Sequence, residues 1–331
     1  MFYIFSLLML AVIMVNGWTD APNAISSCVS TRSMSPKGAV CLAAICNFSG
    51  CIAMSLISSR VAETVFNIVD LSEYPDKVLP SLSAGMCAVV IWSALASKCG
   101  IPTSESHGLL AGISGAAFAK TLSLSVIDLG EWAVVIAGLA LSTLPSFLVA
   151  KLLYSAMRSI LSHFPRRVVI KHFTRAQICS AASSALLHGA QDSQKFLGVY
   201  MLGLSLLNND LGGESFEIPI PLVCICASAM TLGTLLGGMK IIKKVGVDMV
   251  SLDADGGTAA DMSSSAVLTL CSFFGIPVST THAKACAMMG VGSCTKKGAD
   301  KKIILEIFVA WLLTFPICAA IGFLLSYFLF Q

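Results

Sequence analysis

The segment GIPTSESH at residues 100–107 recurs as GIPVSTTH at residues 275–282. The proline in each copy lacks a backbone N–H and blocks a continuous helix, so one half-helix ends before it and another begins after it. A second motif pair recurs in the same order and at nearly the same offset, with NGWTD at 16–20 and HGAQD at 188–192. Two ordered motif pairs indicate an internal duplication.

The composition indicates a protein that lies in a membrane. The 331 residues are 56% hydrophobic and 12% charged, whereas an ordinary soluble domain has about 25% charged residues. Apolar stretches long enough to span a bilayer recur along the chain, which predicts an all-α polytopic membrane protein and excludes a soluble enzyme. The net charge of +3 is spread over several loops, so the chain has no basic patch for nucleic acid.

The distribution of Lys and Arg predicts the topology. Four loops hold 15 of the 21 basic residues, and the loops 60–78, 120–131 and 208–217 hold three. By the positive-inside rule the basic loops are cytoplasmic, which places the N- and C-termini outside. The four basic loops are 32–38, 151–176, 240–244 and 296–302.

With this topology the two halves have the same elements in opposite orientation. The predicted fold is therefore an inverted-topology repeat with broken helices and two re-entrant-type helical hairpins, the architecture of secondary transporters. The first transmembrane repeat is predicted at 1–153, a basic cytoplasmic linker at 154–176, and the second, inverted repeat at 177–331.

The two hairpin breaks predict an anion site. Each break begins a half-helix whose free N–H groups and positive dipole end lie at mid-membrane, where hydroxyl groups add further donors. The alternative is that the hydroxyls only satisfy broken-helix backbone, and the matched second copy favours the site. The predicted anion ligands are Thr103, Ser104, Ser106, Ser279, Thr280 and Thr281, with Lys195 to offset the charge.

Carboxylates within apolar segments predict a cation site. Asp20 and Asp192 must each meet a cation, a proton or a basic partner, and the oxygen-rich surroundings suit sodium. Backbone carbonyls unwound beside Gly17 and Gly189 are expected to complete the shell. An ion pair between Asp192 and Lys195 is the open alternative. The set comprises Asn16, Asp20, Asn23 and Asp192, with sodium at Asp20, Asn23 and Asp192.

Three histidines and a glutamine are assigned supporting roles. His107 and His282 follow the two hairpin breaks at matched positions, and we expect them to hydrogen-bond the hairpin tips or a substrate oxygen. His188 and Gln191 belong to the second copy of the carboxylate motif. Ser104 or Ser106 with His107 suggests an intramembrane hydrolase as an alternative of another class, but no third catalytic residue is evident.

At these motifs the chain resembles the inorganic phosphate transporter (PiT) family over essentially its whole length. The resembling segments are NGWTDAPNAISSCVSTR at 16–32, HGAQDSQKFLGV at 188–199 and the two Gly-Ile-Pro segments. The resemblance implies cation-coupled symport of inorganic phosphate, held with sodium between the repeats, and no enzymatic activity. Asp20, Asn23 and Asp192 would serve the cation and substrate, and the hydroxyls would surround the oxyanion.

Two positions depart from the family pattern. Gln191 stands where the family usually has Asn, and Glu105 stands where the other repeat has Thr280. A carboxylate beside an anion site is unfavourable unless it is protonated or ligates a cation, so Glu105 is assigned to the coupling cation.

A sulfate permease of the same fold is the alternative function. Phosphate is favoured because it carries a proton that Glu105 can accept in a hydrogen bond, and sulfate carries none. The expected partners are inorganic phosphate, sodium or a proton, and the lipid bilayer of a cell membrane, with no further cofactor and with a homo-oligomer left open.

Overall fold

The computed structural model describes residues 1–207 and 218–329. The described residues form helices with no β-strand, apart from two isolated bridges. This agrees with the predicted all-α class. Cys28 and the other twelve cysteines are free thiols.

The first repeat contains seven α-helices. The fifth and sixth of them form the first hairpin. In chain order the helices are α1 (Phe2–Thr19), α2 (Ala21–Ser30), α3 (Pro36–Ile57), α4 (Arg60–Phe66), α5 (Pro75–Lys98), α6 (Glu105–Thr121) and α7 (Leu129–Leu161).

The second repeat follows the same order. One long helix replaces the first broken pair, and a short helix continues as a π-helix over Ile242–Met249. The helices are α8 (Arg166–Leu207), α9 (Ile220–Leu236), α10 (Met239–Ile241), α11 (Ala254–Phe273), α12 (Thr280–Gly292) and α13 (Lys301–Phe328).

Several helices are suited to crossing a membrane. In the described part of the chain five are long and apolar enough, or six if the pair Ile220–Leu236 and Met239–Met249, bent by 60°, is one span. Helix α8 has 42 residues, which is about 63 Å at 1.5 Å per residue, but buried polar side chains lower its hydropathy. The chain is therefore a multi-pass membrane protein.

Both hairpins contain the predicted break. Gly100 and Gly275 adopt φ of 67° and 72°, a region that favours glycine, and end α5 and α11. Extended residues then lead to Ser104 and Ser279, the N-caps of α6 and α12. The two proline-centred segments thus fold alike, as the sequence repeat predicts.

The first helix breaks at Asp20, but α8 does not break at the equivalent Asp192. Asp20 lies between α1 and α2, and Pro22 lies in the first turn of α2. Gly17 and Gly189 are both helical, so the prediction of unwound carbonyls beside them is wrong. Both glycines serve close packing instead. A Cβ on Gly17 would lie 2.2 Å from the Met230 carbonyl oxygen, and one on Gly189 would lie 2.2 Å from that of Asn47.

Helices of one repeat pack directly against helices of the other. Helix α1 packs on α9 and α3 packs on α8, while α6 packs on α13 and α7 packs on α12. Glycines allow these backbones to approach closely, as Gly50 does against Leu186 and Gly233 does against Met14. Because each repeat is built into the other, the half-helices of both hairpins reach the middle of the molecule.

Candidate substrate and cation site

The N-termini of α6 and α12 meet at the centre of the molecule. The hydroxyl of Ser104 accepts a hydrogen bond from the His107 backbone N–H at 3.3 Å, and Ser279 accepts one from His282 at the same distance. The imidazole centroids of His107 and His282 lie 5.0 Å apart. Two helix ends from opposite repeats therefore face one buried region, which is the arrangement that favours an anion.

Asp20 is held between the repeats. Thr281 at the start of α12 donates its hydroxyl hydrogen to Asp20 Oδ1 at 2.6 Å. The Asn16 side-chain amide donates to Asp20 Oδ2 at 3.4 Å and to Asp192 Oδ2 at 3.0 Å. One amide therefore bridges the carboxylates that the sequence pairs by its repeat.

Asp192 has basic partners. Lys195 Nζ lies 2.6 Å from Asp192 Oδ1, and His188 Nε2 lies 3.3 Å from Oδ2. Lys195 also donates to Ser106 Oγ at 2.8 Å and to the backbone carbonyl of Val278. The ion pair that the sequence left open is present, and Lys195 joins α8 to both hairpins.

Glu105 completes a group of acidic side chains. It is the first residue of α6, is 1% exposed, and accepts a hydrogen bond from the Thr19 hydroxyl through Oε1. Its other oxygen, Oε2, has no hydrogen-bond partner among the described residues, and the same holds for Oδ1 of Asn16 and of Asn23. Three buried oxygens at the site are thus free to accept a bond from a proton donor or to bind a cation.

The charges of the site do not balance within the protein. In the described part of the chain no Lys, Arg or His lies within ion-pair distance of Asp20 or Glu105, whereas Asp192 has Lys195. Buried carboxylates without a basic partner are costly at this depth. The arrangement therefore calls for one or more cations or protons.

Three side chains bring atoms that could bind a cation close together. Ligand atoms of Asp20, His188 and Asp192 lie within 4.8 Å of one another. This set contains two of the three predicted sodium ligands. The third, Asn23, lies one turn beyond Asp20 and donates from its amide to Thr281 Oγ1 at 3.1 Å.

The remaining predicted residues line the same region. Thr280 donates towards Asp192 Oδ2 at 3.5 Å, and Thr103 is buried in the segment that leads to α6. Gln191 donates to Ser272 Oγ at 2.8 Å and so supports the second hairpin.

The two hairpin histidines differ from expectation. Their ring nitrogens have no hydrogen-bond partner among the described residues, so the rings do not bond the hairpin tips, while a bond to a substrate oxygen stays a prediction. The backbone N–H groups make those bonds instead. The His282 ring packs on Trp311 with centroids 3.8 Å apart, and the His107 ring stacks on Phe315 at 4.9 Å.

A second polar cluster lies next to this site, and the sequence did not predict it. Lys284 forms a buried ion pair with Asp261, and Ser27 and Gln177 hydrogen-bond to the same carboxylate. Helix α11 begins at Ala254 and therefore places Asp261 inside the helix. The small residues at 254–260 are compatible with a helix, and a predicted helix that included them would have placed Asp261 inside it.

The fold is that of a multi-pass membrane transporter built as an inverted repeat around two broken hairpins. The chain belongs to the phosphate transporter family, because the sequence model of that family matches residues 16–171 and again residues 161–322. The two matches, one to each half of the chain, agree with the internal repeat.

Individual relatives cover almost the whole chain. A probable low-affinity inorganic phosphate transporter of Bacillus subtilis (strain 168) is 31% identical, over 95% of this chain and 92% of the relative. A protein of the same description from Rhizobium meliloti (strain 1021) is 33% identical, over 93% of this chain and 90% of the relative. A solved structure described as the sodium-dependent phosphate transporter superimposes with a TM-score of 0.90, at 19% identity and 98% coverage of both chains, which shows a common fold.

Proposed function

We propose that this protein carries inorganic phosphate across a cell membrane by symport with a cation, sodium being the expected ion. The observation that carries the proposal is the convergence of two half-helix N-termini, from opposite repeats, beside carboxylates without a basic partner. Helix ends and hydroxyls attract an oxyanion, and the unpaired carboxylates require its entry to be accompanied by cations. The names of the similar transporters support phosphate as the anion.

In this proposal phosphate lies against the free N–H groups of α6 and α12. The donors nearest to those ends are the hydroxyls of Thr103, Ser104 and Ser106 in one repeat. Ser279, Thr280 and Thr281 are their equivalents in the other. Lys195, already bonded to Ser106, contributes positive charge without leaving Asp192.

The coupling cation binds beside the phosphate. Asp20, Asp192 and the free Oδ1 atoms of Asn16 and Asn23 supply the hard oxygen ligands that sodium prefers. Counting Asp20, Glu105 and Asp192 against Lys195 leaves two negative charges before phosphate arrives. Sodium at Asp20, with a second sodium or a proton at Glu105, offsets them.

Transport then follows alternating access. Cation binding neutralises the cavity, phosphate enters, and only the loaded carrier changes the side to which its site opens. Both termini lie outside in this arrangement, and the basic loops face the cytoplasm.

The test is uptake of labelled phosphate into proteoliposomes under an inward sodium gradient. We expect sodium to drive accumulation that a matched potassium gradient does not, and we expect Asp20→Asn to lose at least 90% of it. Asp70→Asn is the matched control, because Asp70 is an exposed residue of the 67–74 loop. Full sodium-driven uptake by the Asp20→Asn protein would contradict the cation role of Asp20.

A competition arm separates the two candidate anions. Unlabelled sulfate at a tenfold excess is expected to leave phosphate uptake nearly unchanged, whereas unlabelled phosphate at the same excess abolishes the signal. If sulfate competed as well as phosphate did, the carrier would not be specific for phosphate.

A further inference from the structure

Lys284 lies in a shell of oxygen atoms inside the protein. Its ammonium group donates to the Ala24 carbonyl oxygen at 3.1 Å, to Ser27 Oγ at 3.0 Å and to Asp261 Oδ1. Lys284 is 2% exposed and Asp261 is 0% exposed. A carbonyl, a hydroxyl and a carboxylate are the ligands by which proteins hold hard cations such as sodium.

The carboxylate of this shell is fixed from all sides. Ser27 donates to Asp261 Oδ1 at 2.7 Å, and Gln177 and Ser180 donate to Oδ2 at 2.6 and 3.3 Å. The cluster therefore joins α2, α8, α11 and α12, and its ligands stay oriented independently of the Lys284 side chain. An oxygen shell held in this way is preorganised for a cation.

The cluster continues the central site by one helical turn. Asn23 on α2 bonds Thr281 on α12 at 3.1 Å, and one turn further along both helices Ser27 bonds Lys284 at 3.0 Å. A cation in the cluster would thus bind between the same two helices as the proposed coupling cation.

Among the described residues, the positions related to this cluster by the internal repeat hold no equivalent cluster. At the repeat offsets of the hairpins and of the Asp motif, Asp261, Lys284, Ser27 and Gln177 correspond to apolar residues. These residues are Met86, Leu109, Val199 and Phe5, which belong to one buried hydrophobic core cluster.

At the repeat-equivalent positions the same fold is therefore filled by apolar packing. A buried ion pair is often no more stabilising than such packing, so stability alone gives no reason for the charges. The buried charges of the cluster are therefore better explained by a role in binding a cation.

We propose that the Lys284 ammonium group is a built-in cation that occupies a monovalent-cation site formed by Ala24, Ser27 and Asp261. Removal of its charge leaves the oxygen shell intact and turns the cluster into a site for a free cation, preferentially sodium. The site itself stands apart from the proposed transport function. One consequence rests on that function, namely that a carrier without the Lys284 charge would bind one more cation per transport cycle.

The direct test measures thermal unfolding of the purified, detergent-solubilised protein in lithium, sodium, potassium or choline chloride at equal ionic strength. All variants carry Asp20→Asn, which removes a carboxylate of the proposed central cation site. We expect Lys284→Met to gain a sodium-specific rise in Tm of about 5 °C over choline, the size that saturable binding gives in a protein of this length. The Lys284→Arg protein keeps the charge and should gain nothing.

Two further variants serve as controls. Lys284→Met combined with Asp261→Asn removes the carboxylate as well and should show no sodium-specific rise in Tm. Leu109→Met changes the repeat-equivalent apolar position and should also show no sodium-specific rise in Tm. If Lys284→Met unfolded equally in sodium and choline while the double variant folded, the proposal would be overturned. Because this measurement needs no transport, its outcome is separate from that of phosphate uptake.

The expected binding of one more cation per transport cycle can be tested by measuring phosphate uptake. In the Asp20 wild-type background, the sodium dependence of phosphate uptake should become steeper by about one ion in the Lys284→Met protein. If the Hill coefficient stayed unchanged while the sodium-specific rise in Tm was observed, the cation site would be supported and its contribution to coupling would be contradicted.

Discussion

Lys195 Nζ lies 2.6 Å from Asp192 Oδ1 within α8, and both side chains are 1% exposed. This ion pair divides the acidic residues of the site into two kinds. Asp192 is neutralised by the protein itself, whereas Asp20 and Glu105 have only hydrogen-bond donors as partners among the described residues. Cation dependence is therefore expected to reside in Asp20 and Glu105.

Replacement of Lys195 by Met is expected to destabilise the protein strongly. The change leaves Asp192 buried without its main partner, which typically costs about 3–5 kcal/mol. Addition of Asp192→Asn should restore much of the loss, because the uncompensated charge disappears. Unfolding in detergent of the two single variants and the double variant gives the coupling energy directly. If the destabilisations of the two single variants simply added up in the double variant, the pair would not be coupled.

The sequence predicted the repeat and most of the central site because proline, glycine and charge have local meanings. The Gly-Ile-Pro steps fix both hairpin breaks whatever surrounds them, and Asp20 is costly in any apolar helix. The helical conformation at Gly189 could not be read from the motif, and its packing on Asn47 of α3 is a contact between residues far apart in the sequence. The same is true of His107 and His282, whose rings pack on α13, and of the Lys284 cluster, whose members come from four helices.

Glu105 is expected to set the choice between phosphate and sulfate. Its Oε2 has no partner among the described residues, so it is placed to accept a hydrogen bond from protonated phosphate, which sulfate lacks. A hydrogen bond to a charged group contributes about 1.5–3 kcal/mol, so Glu105→Gln should reduce the preference for phosphate by about 10- to 100-fold. The measurement is competition of sulfate against labelled phosphate. Glu73→Gln, at an exposed loop position, is the control. If sulfate competed no better in the Glu105→Gln protein than in the wild type, Glu105 would not be the residue that accepts the hydrogen bond from phosphate.

Ser279 has two candidate roles that substitutions separate. It caps α12 through the His282 N–H, and it is a proposed phosphate ligand. Loss of an N-cap to Ala costs about 0.5–2 kcal/mol, whereas replacement by Gly costs only a few tenths. We therefore expect Ser279→Ala to lower both Tm and phosphate affinity, and Ser279→Gly to lower affinity alone. Normal affinity in the Gly variant would leave Ser279 as a helix cap only. The equivalent pair at Ser104 tests the first repeat in the same way.

The membrane orientation is open to a proteolytic test. The first turn of α8 exposes Arg166 and Arg167, and the segment before α13 exposes Lys296 and Lys297. Because the positive-inside rule places both in the cytoplasm, trypsin should cut them in inside-out vesicles and not in right-side-out spheroplasts. Cleavage at 166–167 would divide the chain into two fragments of similar size. Ser125→Lys supplies the opposite control, since this exposed position lies in the predicted outer loop between α6 and α7 and should be cut only in spheroplasts. The reverse pattern would invert the orientation and place the Lys284 cluster on the outer side of the central site.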